Sequence, residues 1–432
     1  MRRLVVLVLV AACGSSSPEA PSGDAAAPTG DTAPSDAPPI VDTPDPCPAV
    51  APACPTAPSG FSAGDGLRAI DRCAFPLHDS ARWDSYAATI DAFPQALKRV
   101  TLGDVLGDLN RTAVRATSVP GSPPGLTTAF TWQSGDDAVA YWIPQGLTGS
   151  FDAFATGQLG SKRVLLVSWY YDRSADAGST VEKGVRIAVV DASDPDNVRY
   201  RLALLVEPVM IDGRPDFAAI DVHAGGVAWL GDRLYVPVTG SGFRVFDLSR
   251  ILELPSVDDR LGYDATAGYA AFSYRYAIPQ IGAYTDAGAC APVFSFVAVD
   301  RSTATPTLVS GEYDAASVTG RLYRWPVDPA SQRLVVTDGG RVIPDGAWLE
   351  GESHIQGGVS RGQTFWLSSS APAGVGGALV RTAVDRPSTT LSWIDGPEDL
   401  AFDPQGDQLW SLSELAGARY VFAAASAAVS SR

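Results

Sequence analysis

The chain has 432 residues, with 32 basic against 48 acidic side chains, a formal net charge of −16 and 46% hydrophobic residues. That acidity excludes a nucleic-acid surface, which needs concentrated Lys and Arg, and it serves solubility instead. Only three histidines and five cysteines occur, so imidazole and thiolate chemistry have few places to reside.

Arg2 and Arg3 precede the apolar run LVVLVLVAA, which stops at Cys13 and GSSS. Nine apolar residues cannot cross about 30 Å of hydrocarbon as a helix, so residues 1–12 read as a secretory signal. Val10-Ala11-Ala12-Cys13 resembles the lipobox of bacterial lipoproteins. The resemblance implies that Cys13 becomes the lipidated first residue of the mature protein, held at a membrane by about 0.8 kcal/mol per buried methylene. Gly14 rather than Asp follows the cysteine, which for a Gram-negative cell implies the outer membrane or the cell surface. Residues 13–60 are almost wholly Ala, Pro, Ser, Gly, Asp and Thr and read as a stiffened tether. The remaining cysteines, Cys47, Cys54, Cys73 and Cys290, are expected to form disulfides in an exported chain. The pairing Cys47–Cys54 with Cys73–Cys290 is the simplest, and two other connectivities stay open.

Residues 61–125 carry helical periodicity in ARWDSYAATIDAFPQALKRV and TLGDVLGDLNR, with Pro94 predicted to break the first run. From 126 to 425 the pattern changes to short runs rich in Val, Tyr, Phe and Trp, separated by Gly, Pro, Asp and Ser, which predicts an all-β domain. Residues 426–432 form a tail. Three segments in this domain share one frame: His223-AGGVAWL-Gly231, His354-IQGGVSR-Gly362 and Glu398-DLAFDPQ-Gly406. The glycines are separated by 131 and 44 residues, close to three to one. A period near 44 is the size of a four-stranded blade, so the expected fold is an all-β β-propeller preceded by a short helical segment. The domain length suits nearly seven blades. Two insertions, DRSADAGSTVEKG and the stretch from Leu254 to Tyr284, reduce the expectation to six.

The phrases YWIPQGLTGS, RVLLVSWYYDR, DVHAGGVAWLGDRLYVPVTGSGFRVFDLSRI, GEYDAASVTGRLYRWPVD and GPEDLAFDPQGDQLWSLSE resemble, in their order, a group of uncharacterised secreted bacterial proteins best represented among actinomycetes. The resemblance covers most of residues 127–424. It implies a propeller-like fold and export, and it brings no established activity.

First strands of propeller blades line the central channel, and one repeat column faces one way. His223, His354 and Glu398 are therefore expected to converge on the axis, with Asp221 and Glu352 two residues before the histidines. Such a set suits a small ligand or a divalent metal held by His223, His354 and Glu398. It equally suits polar residues that only line water. Asp399 is expected to point away, toward a turn or a neighbouring blade. Gly396-Pro397-Glu398-Asp399-Leu400 resembles the opening of calcium-bearing propeller hydrolases such as gluconolactonases and phytase-like esterases, although Asp399 stands where those proteins commonly carry Gly. DASDPDN at 191–197 lacks EF-hand spacing and reads as a strand-ending turn. No GxSxG, HExxH or phosphate loop is present. The function expected from the sequence is a monomeric, surface-anchored lipoprotein propeller that binds an extracytoplasmic ligand or protein at its channel mouth. The alternative is a metal-dependent hydrolase of lactones, esters or phosphoesters.

Overall fold

The computed structural model describes residues 44–370 and 376–430; the signal segment, Cys13 and most of the tether lie outside the described residues. Twenty of the described strands form five four-stranded antiparallel meanders. Strand β1 (Leu126–Thr131) comes first in the chain and joins the last meander. Blade I is β2 (Trp142–Gly149), β3 (Val164–Tyr171), β4 (Val185–Asp191) and β5 (Arg199–Ile211). Blade II is β6 (Ala228–Leu230), β7 (Arg233–Val238), β8 (Gly242–Asp247) and β9 (Tyr276–Asp286). Blade III is β10 (Phe294–Asp300), β11 (Thr307–Glu312), β12 (Arg321–Asp328) and β13 (Gly346–Leu349). Blade IV is β14 (Ile355–Arg361), β15 (Thr364–Ser369), β16 (Gly377–Ala383) and β17 (Arg386–Trp393). Blade V is β18 (Pro397–Asp403), β19 (Gln408–Ser413), β20 (Tyr420–Ala425) and the returning β1. The fold is an all-β propeller whose ring closes by hydrogen-bonding an early strand to a late one.

The expected six blades are five. The missing length lies outside the ring, where β5 overshoots its blade to pair with Arg214–Ala219 and, in parallel, with β9. A further hairpin, Leu261–Asp264 with Gly268–Ala271, stands apart as its own two-stranded sheet. Neither excursion contributes an inner strand.

The segment 61–125 is less helical than its periodicity predicts. One helix spans Trp83–Ala92, burying Tyr86 and Ile90, and it stops where Phe93 turns extended before Pro94. A second short helix, Leu102–Leu106, opens on a capping box between Thr101 and Asp104. The remainder supplies two- and three-residue strands to sheet edges: Arg68–Ala69 on β13, Leu77–Asp79 on β9, Arg111–Thr112 on β5 and Val114–Arg115 on β1. The segment is a belt that covers edges otherwise open to pairing with other chains.

The disulfides are Cys47–Cys73 and Cys54–Cys290, one of the pairings left open and not the simplest one. Sequence proximity misleads because the end of the presumed tether lies on the folded body. Asp45 pairs with Arg341 at 2.7 Å, and Arg341 Nη2 donates to the Cys47 carbonyl at 3.1 Å.

At the axis the inner strands approach closely, and the paired glycines of HAGGVAW and HIQGGVS make this feasible. A Cβ on Gly226 would fall 2.4 Å from the Val297 nitrogen, and one on Gly357 would fall 2.4 Å from the Asp399 Cα. The centre is therefore a funnel that narrows to packed backbone, not a wide tunnel.

Candidate functional site

The five inner strands start on one face, and the groups at their starts form the mouth of the funnel. His223 lies in the connection that enters β6, and His354 immediately precedes β14. Each stands seven residues before the hairpin-closing pair of its blade, Leu230–Arg233 or Arg361–Thr364, so the two histidines occupy equivalent places. Glu398 stands only five residues before its own closing pair, Asp403–Gln408. The turn Pro404–Asp407 is two residues longer than the turns at Gly231 and Gly362, which shifts Glu398 one layer deeper than the shared frame suggests. Its structural counterpart is Gln356, whose Nε2 donates to Glu398 Oε1 at 3.4 Å.

The same turn also differs from the other two in its backbone. Positive φ occurs at Gly231 and Gly362, but in the third repeat it falls on Asp407 and not on Gly406. Gly406 is small because the Asp403 carboxylate accepts its backbone N–H and lies where a side chain would be.

Glu398 is 1% exposed, and its Oε2 has no hydrogen-bond partner among the described residues. Burial, reinforced by the charges of Glu414 and Asp399, pushes its pKa well above the usual carboxyl range. Gln145, on β2, pulls it back down, and its Nε2 also donates to Glu414 Oε2 at 3.0 Å and to the Pro144 carbonyl at 3.1 Å. Glu414 follows β19 and is itself raised by burial, against the pull of Gln145 and Arg419. Tyr170 and Tyr313 complete the wall. Burial raises both phenols, and the charges of Glu398 and Glu414 raise them further.

His223 stacks on Tyr170 with ring centroids 4.4 Å apart. Its ring keeps an edge open to water yet lies deep among protein atoms, and that depth pushes its pKa down to about 4. His354 adopts a φ of 58°, its Nδ1 lies 3.0 Å from Ser353 Oγ, and its ring meets Tyr313 edge-on at 6.0 Å.

Two residues of the expected set take no part. Asp221 is exposed, on the side of Glu182, whose pKa its charge raises. Glu352 turns outward, accepting from Ser388 Oγ at 2.5 Å, on the outer strand β17. Among the described residues no group of three or more His, Cys, Asp or Glu side chains is gathered that could hold a metal ion. Asp399 behaves as anticipated: its Oδ2 accepts from Leu147 N at 3.0 Å and Val227 N at 3.3 Å, tying β18 to β2 and to the strand-entry loop of blade II. Sequence reasoning missed Gln145, Tyr170, Tyr313, Gln356 and Glu414. Tyr170, Tyr313 and Glu414 share a signal, since each stands at or just past the end of a second strand.

No family model matches the chain, and no curated protein does. Among solved structures, Kuenenia stuttgartiensis hydrazine synthase is similar at 15% identity, covering 62% of this chain and 73% of that one with a TM-score of 0.29. The β-propeller domain of Cps50 (Swd1) from Myceliophteria thermophila is similar at 9% identity, covering 70% and 99% with a TM-score of 0.33. Sqt1 from Chaetomium thermophilum is similar at 13% identity, covering 64% and 69% with a TM-score of 0.26. The fold assignment rests on the strand order and ring closure of this chain itself.

Proposed function

We propose that the protein is an exported, lipid-anchored propeller that binds a small extracytoplasmic ligand in the mouth of its funnel. The observation that carries the reading is the Glu398 carboxyl group, buried amid polar side chains from four blades with one oxygen that has no hydrogen-bond partner among the described residues. A buried polar atom without a partner costs about 1–3 kcal/mol, and evolution has little reason to keep one at an axis unless something meets it. The lipobox-like Val10–Cys13 segment supports the anchor, and the two disulfides suit an oxidising compartment.

The test is thermal unfolding of the full chain and of Glu398→Gln against a panel of neutral sugars, amino acids, amines and metal ions. Binding is expected to raise the melting temperature of the parent and to be lost in the variant. A panel in which no compound distinguishes the two proteins would sink the reading. Stoichiometric metal that disappears in Glu398→Gln, together with loss of lactonase or esterase turnover, would instead favour the hydrolase alternative. For the anchor, Cys13→Ser is expected to abolish lipid incorporation and release the protein from membranes.

A further inference from the structure

Four features of the funnel mouth bear on what would satisfy Glu398. Its neighbours include two further acids, Glu414 and Asp399, and no Lys or Arg is among the groups that shift it. Arg419, the nearest basic group to Glu414, is turned into the wall: it donates from Nε to the Glu414 carbonyl at 2.9 Å and from Nη1 to the Asp136 carbonyl at 2.8 Å, over the Trp169 ring. The amide NH2 groups of Gln145 and Gln356 are turned toward the acids, leaving the ring to present oxygen atoms to a visitor. Tyr170 adds an aromatic wall under His223.

Resting on the binding function proposed above, we infer that the ligand is a small primary amine, bound through its ammonium group to Glu398 and Glu414. An ammonium carries three N–H donors and no acceptor, the complement of a ring of carboxyl and amide oxygens. Its charge replaces the proton that burial otherwise imposes on the acids, and charge-assisted hydrogen bonds of this type are about twice as strong as neutral ones. A monatomic metal fits less well because the histidines stand in a different layer from Glu398 and no cage of three donors forms. A neutral polyol would leave both acids without a counter-charge.

The test is calorimetric titration of the full chain with diaminobutane and with butanediol, its uncharged counterpart of equal length. Diaminobutane is expected to bind at least about tenfold more tightly, a difference of about 1.4 kcal/mol. Glu398→Gln, which keeps the shape of the side chain, is expected to remove that preference. A second variant, Glu414→Gln, is expected to weaken the amine to a lesser degree, so the inference stays testable if one variant fails to fold. Amine binding is also expected to strengthen as pH rises through and above the usual carboxyl range, because ligand and proton compete for the same carboxyls, both of which burial raises. The groups facing them are Tyr170 on β3, Tyr313 after β11, His223 before β6 and Arg419 before β20, while Asp399 on β18 acts on Glu398 only through its charge. Equal affinity for diamine and diol overturns the cation, as does binding of a neutral sugar that depends on Glu398; either leaves the binding function standing. Calcium or zinc bound stoichiometrically at Glu398 overturns the amine in favour of a metal. Glu398-independent behaviour of every probe removes both readings together.

Discussion

Asp152 is 2% exposed, and its Oδ2 accepts from Thr148 Oγ1 at 2.7 Å and from the Gly149 backbone at 3.2 Å. Burial nevertheless outweighs these bonds and the attraction of Arg301, pushing its pKa to about 7. An acid whose folded pKa lies above its unfolded value binds more protons when folded. The stability it contributes is present at low pH and is lost as pH rises through that window. Unfolding free energy is therefore expected to fall by up to about 4 kcal/mol between about pH 4 and pH 7 on account of this residue. Glu350, Glu398 and Glu414 act in the same direction, and His223, whose pKa is depressed, acts against them. Chemical denaturation of Asp152→Asn at several pH values checks this, and a pH dependence as steep as that of the parent would refute it. The residue scale is where the sequence was least informative. That Glu398 belongs near the axis was legible from its frame. That Gln356 and not His354 is its neighbour was not, because the two extra turn residues between Asp403 and Gln408 are invisible until strand pairing is known.

Among elements, the inner strands reveal how composition encodes geometry. The double glycines at 225–226 and 357–358 looked like part of a repeat; Gly225, Gly226 and Gly357 proved to be places where neighbouring blades touch backbone to backbone, and Gly358 makes room for the Phe296 and Leu367 side chains. Gly226 has no positive φ, so its constraint is space alone. Gly226→Ala is expected to cost about 2 kcal/mol or more, because the Val297 backbone cannot retreat without opening β10. Gly103→Ala, in the helix Leu102–Leu106 with only the Thr101 hydroxyl 3.4 Å away, is expected to be neutral or mildly stabilising. Denaturation midpoints of the two variants separate these cases, and equal effects would show that axial contact is not the cause. Helical periodicity in 61–125 was correct for Trp83–Ala92 and for the single turn Leu102–Leu106, and misleading between and beyond them. Short edge strands are too brief to show alternation, and their conformation is fixed by the sheets they join.

Over the whole molecule, the belt and the disulfides restrain the ring from outside. Cys54–Cys290 joins residues 236 apart, from the N-terminal strap to the connection between blades II and III. Removing it with Cys54→Ser is expected to cost about 2–5 kcal/mol. Cys73→Ser, which opens a separation of 26 residues, is expected to cost less. Unfolding measured with and without reductant checks both, and a parent insensitive to reductant would overturn the expectation. The class of fold was readable because blade-sized spacing survives in three repeats, whereas the number of blades was not. Length alone cannot distinguish a blade from excursions such as Val206–Ala219 and Leu261–Ala271, which are made of similar strands.

Blade V draws β1 from one part of the chain and β18, β19 and β20 from another almost three hundred residues later. The ring consequently cannot close until Tyr420–Ala425 has left the ribosome: before then Leu126–Thr131 pairs only with Val114–Arg115, and the axial funnel has one side missing. This order of assembly acts as a built-in delay, keeping the ring pliable until its last blade is complete.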